Sequence, residues 1–133
     1  MEIVIDTSAI LAVVGLEPER AELIRLTKGA TLVAPSSVHW EIGNAISAMF
    51  KRKAIELDDA LRMVDAYAGI PIRLIDSTLP QAVELSHRLN IYAYDAYIIG
   101  CAINQRAPIL SLDSVLQERA RSLNIEVIEV KTA

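Results

Sequence analysis

A single cysteine, Cys101, stands among the 133 residues, so an internal disulfide framework is excluded and a reducing, cytoplasmic compartment is expected. Long apolar runs are missing as well. Hydrophobic residues reach 53% and the mean hydropathy is +0.34, yet no stretch approaches the roughly 18 apolar residues that cross a bilayer, so no membrane association is expected. The first residues carry Glu2 and Asp6 and no basic segment, which does not fit a secretory signal. Glycine and proline are scarce, five of each, and fall mostly where an element would end. Without linkers, repeats or low-complexity tracts, the chain is expected to be one domain over 1–133. Basic residues are outnumbered: 13 Lys and Arg against 17 Asp and Glu leave a net charge of −4. That balance argues against broad, non-specific duplex binding, which rests on a basic field. It leaves room for a nucleic-acid substrate reached through a cation held by acids. Apolar content in excess of one core, without a membrane span, points to a second buried surface such as an oligomer interface.

Periodicity reads as strands and helices in alternation. Glu2–Ile5, Thr31–Ala34, Ile72–Ile75, Ile109–Leu112 and Ile125–Val130 are short apolar runs of strand type. Between them, Val38, Ile42, Ala45 and Met49, then Ala82, Leu85 and Leu89, and later Leu116, Ala120 and Leu123 recur at helical spacing. Gly15, Gly29 and Gly69 close helical runs, Asp58 and Ser77 suit N-caps, and Pro18 suits a first helical turn. Uninterrupted apolar strands joined by helices imply a parallel five-stranded sheet covered on both faces, a three-layer α/β/α fold. Right-handed crossovers then bring every strand's C-terminus and the next helix's N-terminus to one edge, where open α/β sheets bind ligands.

Four carboxylates fall on that edge. Asp6 ends the first strand, Glu41 lies in the early turns of the helix after the second, Asp95 opens a later helix, and Asp113 follows the fourth strand. Converging anions repel one another and raise at least one pKa unless a cation neutralises them. Mg²⁺, which takes one or two carboxylates and keeps waters for a phosphate, is the simple solution. Zinc is disfavoured, since no His or Cys cluster has its spacing. Each acid also has a plainer reading. Asp95 would complement a helix dipole, Asp113 would cap the helix after it, and Glu41 would be a solvated helix residue. Asp6, directly after a buried strand and before the apolar run Ala9–Val14, is awkward without a partner. Their joint placement carries more weight than any one of them.

Together these segments resemble a PIN domain, and more narrowly the VapC-type toxins of prokaryotic toxin–antitoxin pairs. The matching segments are Val4-Ile5-Asp6-Thr7-Ser8-Ala9, Glu41 with Asn44-Ala45, Tyr94-Asp95-Ala96 leading to Ala102, and Leu110-Ser111-Leu112-Asp113. The tail from Val115 to Val127 adds to them, and the match spans nearly the whole chain. The resemblance implies a Mg²⁺- or Mn²⁺-dependent endoribonuclease that leaves a 5′-phosphate and a 3′-hydroxyl. It also implies a VapB-like antitoxin partner and a homodimer. By the same resemblance Asp6, Glu41, Asp95 and Asp113 form the acidic site, with Asp6 and Asp95 as direct metal ligands. Asp113 would ligate the metal or position the water, and Glu41 would complete the site or orient the nucleophile. Thr7 and Ser111 match positions whose hydroxyls support the site. Ser111 stands where the family often has Thr, and Leu116 where an aromatic residue is common; neither departure touches the chemistry.

Other readings of the same topology explain less. An aspartyl-phosphate phosphatase needs a second acid two residues after Asp6, and Ser8 stands there. A receiver domain would use Asp76 and Lys131 but lacks the acidic pair after the first strand and leaves Glu41 and Asp95 idle. A catalytically silent RNA- or protein-binding module on the same fold remains the alternative to the enzyme. Among the remaining residues, Trp40 reads as core or interface before base-stacking platform, and Met49 and Phe50 as interface. Tyr92, Tyr94 and Tyr97 read as packing residues with polar tips, and Lys51, Arg52 and Lys53 as partners of a helix C-terminus. Cys101 reads as a buried small hydrophobe.

Overall fold

The computed structural model describes residues 1–131; the last two residues of the expected 1–133 domain lie outside the described residues. The strands are β1 (Glu2–Ile5), β2 (Thr31–Pro35), β3 (Ile72–Ile75) and β4 (Ile109–Leu110). The helices are α1 (Thr7–Val14), α2 (Arg20–Thr27), α3 (Ser37–Lys51), α4 (Leu57–Ala68), α5 (Leu79–Leu89), α6 (Ala93–Gln105) and α7 (Ser114–Ser122). Every strand pair is parallel, and the sheet order is β3-β2-β1-β4. Registers run Val4 to Val33 on one side of β1 and Val4 to Ile109 on the other. Ile3, Val4, Val33, Ile109 and Leu110 are fully buried, as strands covered on both faces require. Helix α6 lies on β1 and β2 and packs against α5, while α1 packs against α2, α3 and α4. The helical layers thus flank a parallel sheet. No described helix is long and apolar enough to cross a membrane.

Among the described residues the sheet has four strands where the sequence predicts five, and β4 is half its expected length. Side chains end it. Beyond Leu110, backbone groups that would continue the ladder are taken by side chains. Gln117 Nε2 donates to the Ser111 carbonyl at 2.6 Å, and the Leu112 amide donates to Ser8 Oγ at 2.9 Å. With so short a β4, the expected fifth strand over Ile125–Val130 finds one residue to pair with. It makes a single parallel bridge, Val127 to Ile109, through Ile109 N to Glu126 O and Ile128 N to Ile109 O, both 2.9 Å. Two helix starts also differ from expectation. Glu56 and Thr78 are the N-caps of α4 and α5, with Asp59 closing a capping box on Glu56, so Asp58 falls in the first turn and Ser77 precedes the cap. Pro18 lies in the turn before α2.

In this order β1 is the switch point: the chain winds outward through β2 and β3, then returns to β4 on the other side of β1. The connections that follow β1 and β4 leave toward opposite sides of the sheet, which opens a crevice at the C-terminal ends of these two neighbours. Asp6 follows β1 there, and α3 starts from the same edge after β2.

Helix α6 is seated against β1 and β2. Ile99, on α6, is 0% exposed. Ile99→Ala is expected to cost about 2–5 kcal/mol of stability in urea unfolding, while Leu61→Ala on the outer face of α4 stays within about 0.5 kcal/mol.

Candidate active site

Asp6, Glu41, Asp95 and Asp113 line one cleft of about 290 Å³, together with Thr7, Ser8, Asn44, Ala45, Tyr94 and Ile98. All four expected acids are therefore brought together, and expected Thr7 lies among them. Ser111 does not line the cleft; it is 0% exposed beneath it and bonds to Asp6.

Asp6 is the N-cap of α1, and its carboxylate is 6% exposed. Ser8 Oγ donates to Oδ1 at 2.7 Å, Ser111 Oγ to Oδ2 at 2.9 Å, and the Ala9 amide to Oδ1 at 3.2 Å. Burial pushes the Asp6 pKa up, these three donors pull against it, and Asp113 adds a further upward push. Glu41, in the second turn of α3, accepts Thr7 Oγ1 on Oε2 at 2.5 Å. Its pKa is raised by burial first, against the Thr7 bond, and then by Asp6 and Asp95. Asp95 is the third residue of α6, where its charge complements the helix dipole. Burial and then Asp113 raise its pKa. Asp113 caps α7: its Oδ1 accepts the Val115 amide at 2.9 Å and the Leu116 amide at 3.1 Å. The capping roles are thus real for Asp113 and, unexpectedly, for Asp6, and both acids still face the shared cleft.

The donor set is all oxygen, carries up to four negative charges and is under mutual repulsion. That fits a hard divalent cation, which would relieve the raised pKa values directly. Among the described residues no three His, Cys, Asp or Glu side chains form a ready metal-holding group. The cleft therefore fits an ion that keeps several waters, as Mg²⁺ does, rather than a fully protein-caged one.

Asn44 and Ala45 follow Glu41 by three and four residues, and Ile98 follows Asp95 by three, so helical spacing alone puts them on the site-facing side. Ser8 is different. Its bond to Asp6 spans two residues, but its other partner lies about a hundred residues away, which no local pattern announces. Asp76 is not in the cleft; it accepts Ser36 Oγ at 2.9 Å, so the acid a receiver domain would use has a separate structural partner. Trp40, next to Glu41, is 69% exposed and does not belong to the core. Tyr92 and Tyr94 are also exposed, and Cys101 is buried as expected.

A family model described as PIN domain matches residues 3–122. Among solved structures, PAE2754 from Pyrobaculum aerophilum superposes with a TM-score of 0.71 at 17% identity, covering 98% of this chain and 91% of that one. VapBC2 from Rickettsia felis, bound to a promoter DNA fragment, gives 0.70 at 17%, covering 96% and 98%. VapC20 from Mycobacterium tuberculosis, a Sarcin-Ricin loop cleaving toxin, gives 0.63 at 13%, covering 87% and 93%. At these identities the likeness is one of fold. No protein of curated function matches by sequence.

The raised pKa of Glu41 has a sign for stability. A carboxyl whose folded pKa exceeds its unfolded value favours the fold at low pH, and that contribution is lost as pH rises through the folded pKa. Glu41→Gln keeps an acceptor for Thr7 and removes the charge. In EDTA it is expected to melt above the wild type at pH 7.5, with the gap narrowing toward pH 4, in paired thermal melts.

Proposed function

The chain belongs to the PIN-domain family, and from that premise we propose that it is a metal-dependent endoribonuclease, the toxin of a VapBC-like toxin–antitoxin pair. The observation that carries this reading is the meeting of Asp6, Glu41, Asp95 and Asp113 in one cleft at the switch point of the sheet. In this reading residues 1–133 act as one PIN unit in the prokaryotic cytoplasm. Asp6 and Asp95 would hold Mg²⁺, or Mn²⁺ in its place, with Asp113 as a further ligand or as the group that positions water. When bound, the ion supplies charge neutralisation at the phosphate and Lewis-acid activation of the attacking water. The chain's own residues do the rest. Asp6 is held by three donors, so it meets the ion as an acceptor. Glu41, oriented by Thr7 and raised in pKa by burial, takes the proton from the water that attacks phosphorus. The bond from phosphorus to O3′ breaks, the 3′-oxygen gains a proton from solvent, and the products are a 5′-phosphate and a 3′-hydroxyl.

Two surfaces support the expected partners. An apolar groove of about 320 Å³, lined by Leu11, Ala12, Met49, Ile55, Met63 and Leu112, adjoins the cleft through Ser8 and suits an antitoxin segment. Exposed Trp40, Leu79 and Tyr94, which line one open groove, suit a homodimer contact. The second reading, a silent PIN-like binding module, is favoured by one observation, the lack of a ready three-ligand group among the described residues.

Purified protein incubated with a mixed structured-RNA pool is expected to cut it in Mg²⁺ or Mn²⁺ and not in EDTA. Folded Asp6→Asn is expected to lose at least about 100-fold in rate, as loss of a main charge-stabilising group does. Cleavage that survives EDTA or the Asp6→Asn change would sink the nuclease reading. A wild type that neither cuts RNA nor binds a divalent ion would favour the silent module.

A further inference from the structure

Two serines that bracket Asp6, Ser8 lining the cleft and Ser111 beneath it, are wired alike. Ser8 Oγ donates to Asp6 Oδ1 at 2.7 Å and accepts the Leu112 amide at 2.9 Å. Ser111 Oγ donates to Asp6 Oδ2 at 2.9 Å and accepts the Asp113 amide at 3.0 Å. The two hydroxyls lie 3.4 Å apart. Each one therefore spends its proton on a different oxygen of the same carboxylate and its lone pair on a neighbouring amide of the segment that carries Asp113. A hydroxyl has one proton to give, so both bonds to Asp6 require it to accept on both oxygens. Asp6 comes from the end of β1 and Asp113 from beyond β4, so these bridges join the two acids across the sheet.

We propose that Ser8 is a positioning residue: with Ser111 it forms a two-hydroxyl clamp that fixes the orientation of the Asp6 carboxylate and, through the Leu112 amide, the placement of Asp113 relative to it. The proposal rests on the reading of the cleft as a divalent-metal site and extends it to a residue whose hydroxyl is engaged by Asp6 and the Leu112 amide. Partners of metal-ligating groups orient those ligands, and their loss typically weakens metal binding by about 10–100-fold. The clamp also accounts for the early end of β4. Once Leu112 N and Asp113 N are bound to serine hydroxyls, neither can bond to a neighbouring strand.

A purely structural role for Ser8 would lower stability and leave metal affinity alone, so the test separates the two. Free Mn²⁺ is titrated with the intact protein and followed by its paramagnetic resonance signal at a temperature well below melting. The wild type is compared with Ser8→Ala, Ser8→Thr and Val14→Ala, the last a core change outside the cleft that controls for lost stability. Ser8→Ala is expected to bind Mn²⁺ about 10–100-fold more weakly, Ser8→Thr near the wild type, and Val14→Ala unchanged. If Ser8→Ala does not fold, Ser8→Cys, which keeps the side-chain shape with a somewhat larger atom and weakens the donor, replaces it. Wild-type affinity in folded Ser8→Ala, or in Ser8→Cys standing in for it, overturns the clamp and leaves the metal site intact. A wild type that binds no Mn²⁺ overturns the metal reading itself, and the clamp with it.

Discussion

Asp6 sits where β1 runs out, between β2 and β4, with its carboxylate 6% exposed. Burying a charge there is costly unless it is compensated, and three donors from Ser8, Ser111 and Ala9 compensate it only in part, since burial still raises its pKa. Much of the local structure answers this constraint. Helix α1 starts on Asp6 as its N-cap, β4 stops at Leu110 so that Ser111 can reach it, and the next segment turns to deliver Asp113. Glu41 and Asp95, each at the sheet-edge end of a helix, then crowd further charge into the same crevice.

That crowding runs against stability in the isolated chain. Three of the four acids have raised pKa values with burial as the leading cause, and neighbouring carboxylates add to each. A fold tuned for stability alone would place apolar or neutral polar groups here. Strain of this kind concentrates at functional sites, and a divalent cation is the compensation that would also draw a phosphate into the cleft. The net charge of −4 therefore does not conflict with an RNA substrate, because the field the phosphate meets would be set by the ion rather than by the chain's total charge.

The order of elements and the four acids were legible because they depend on local pattern. Apolar runs such as Ile3-Val4-Ile5 read as buried strands, and parallel topology sends their ends to a common edge. Asp95 and Glu41 were placed by their positions near the starts of helices, which periodicity and parallel topology send to that edge. What the pattern missed depends on contacts between distant segments. Leu112 is as apolar as Leu110, yet it leaves the sheet because its amide meets a serine hydroxyl from α1. Ile125–Val130 has strand composition but only Ile109 to pair with, so it forms a bridge in place of a strand. Trp40 has the composition of a core residue and the position of a surface one, for it lies beside Glu41 on the part of α3 that faces away from Val38 and Ile42.

Anomalous diffraction from crystals soaked in MnCl₂ and recorded near the manganese absorption edge tests the compensation of these carboxylates most directly. The buried, mutually repelling acids predict a manganese peak in the cleft within ligating distance of Asp6 and Asp95, about 2.0–2.2 Å for a carboxylate oxygen on a small divalent ion. Ordered side chains at all four acids with no anomalous density among them would contradict it.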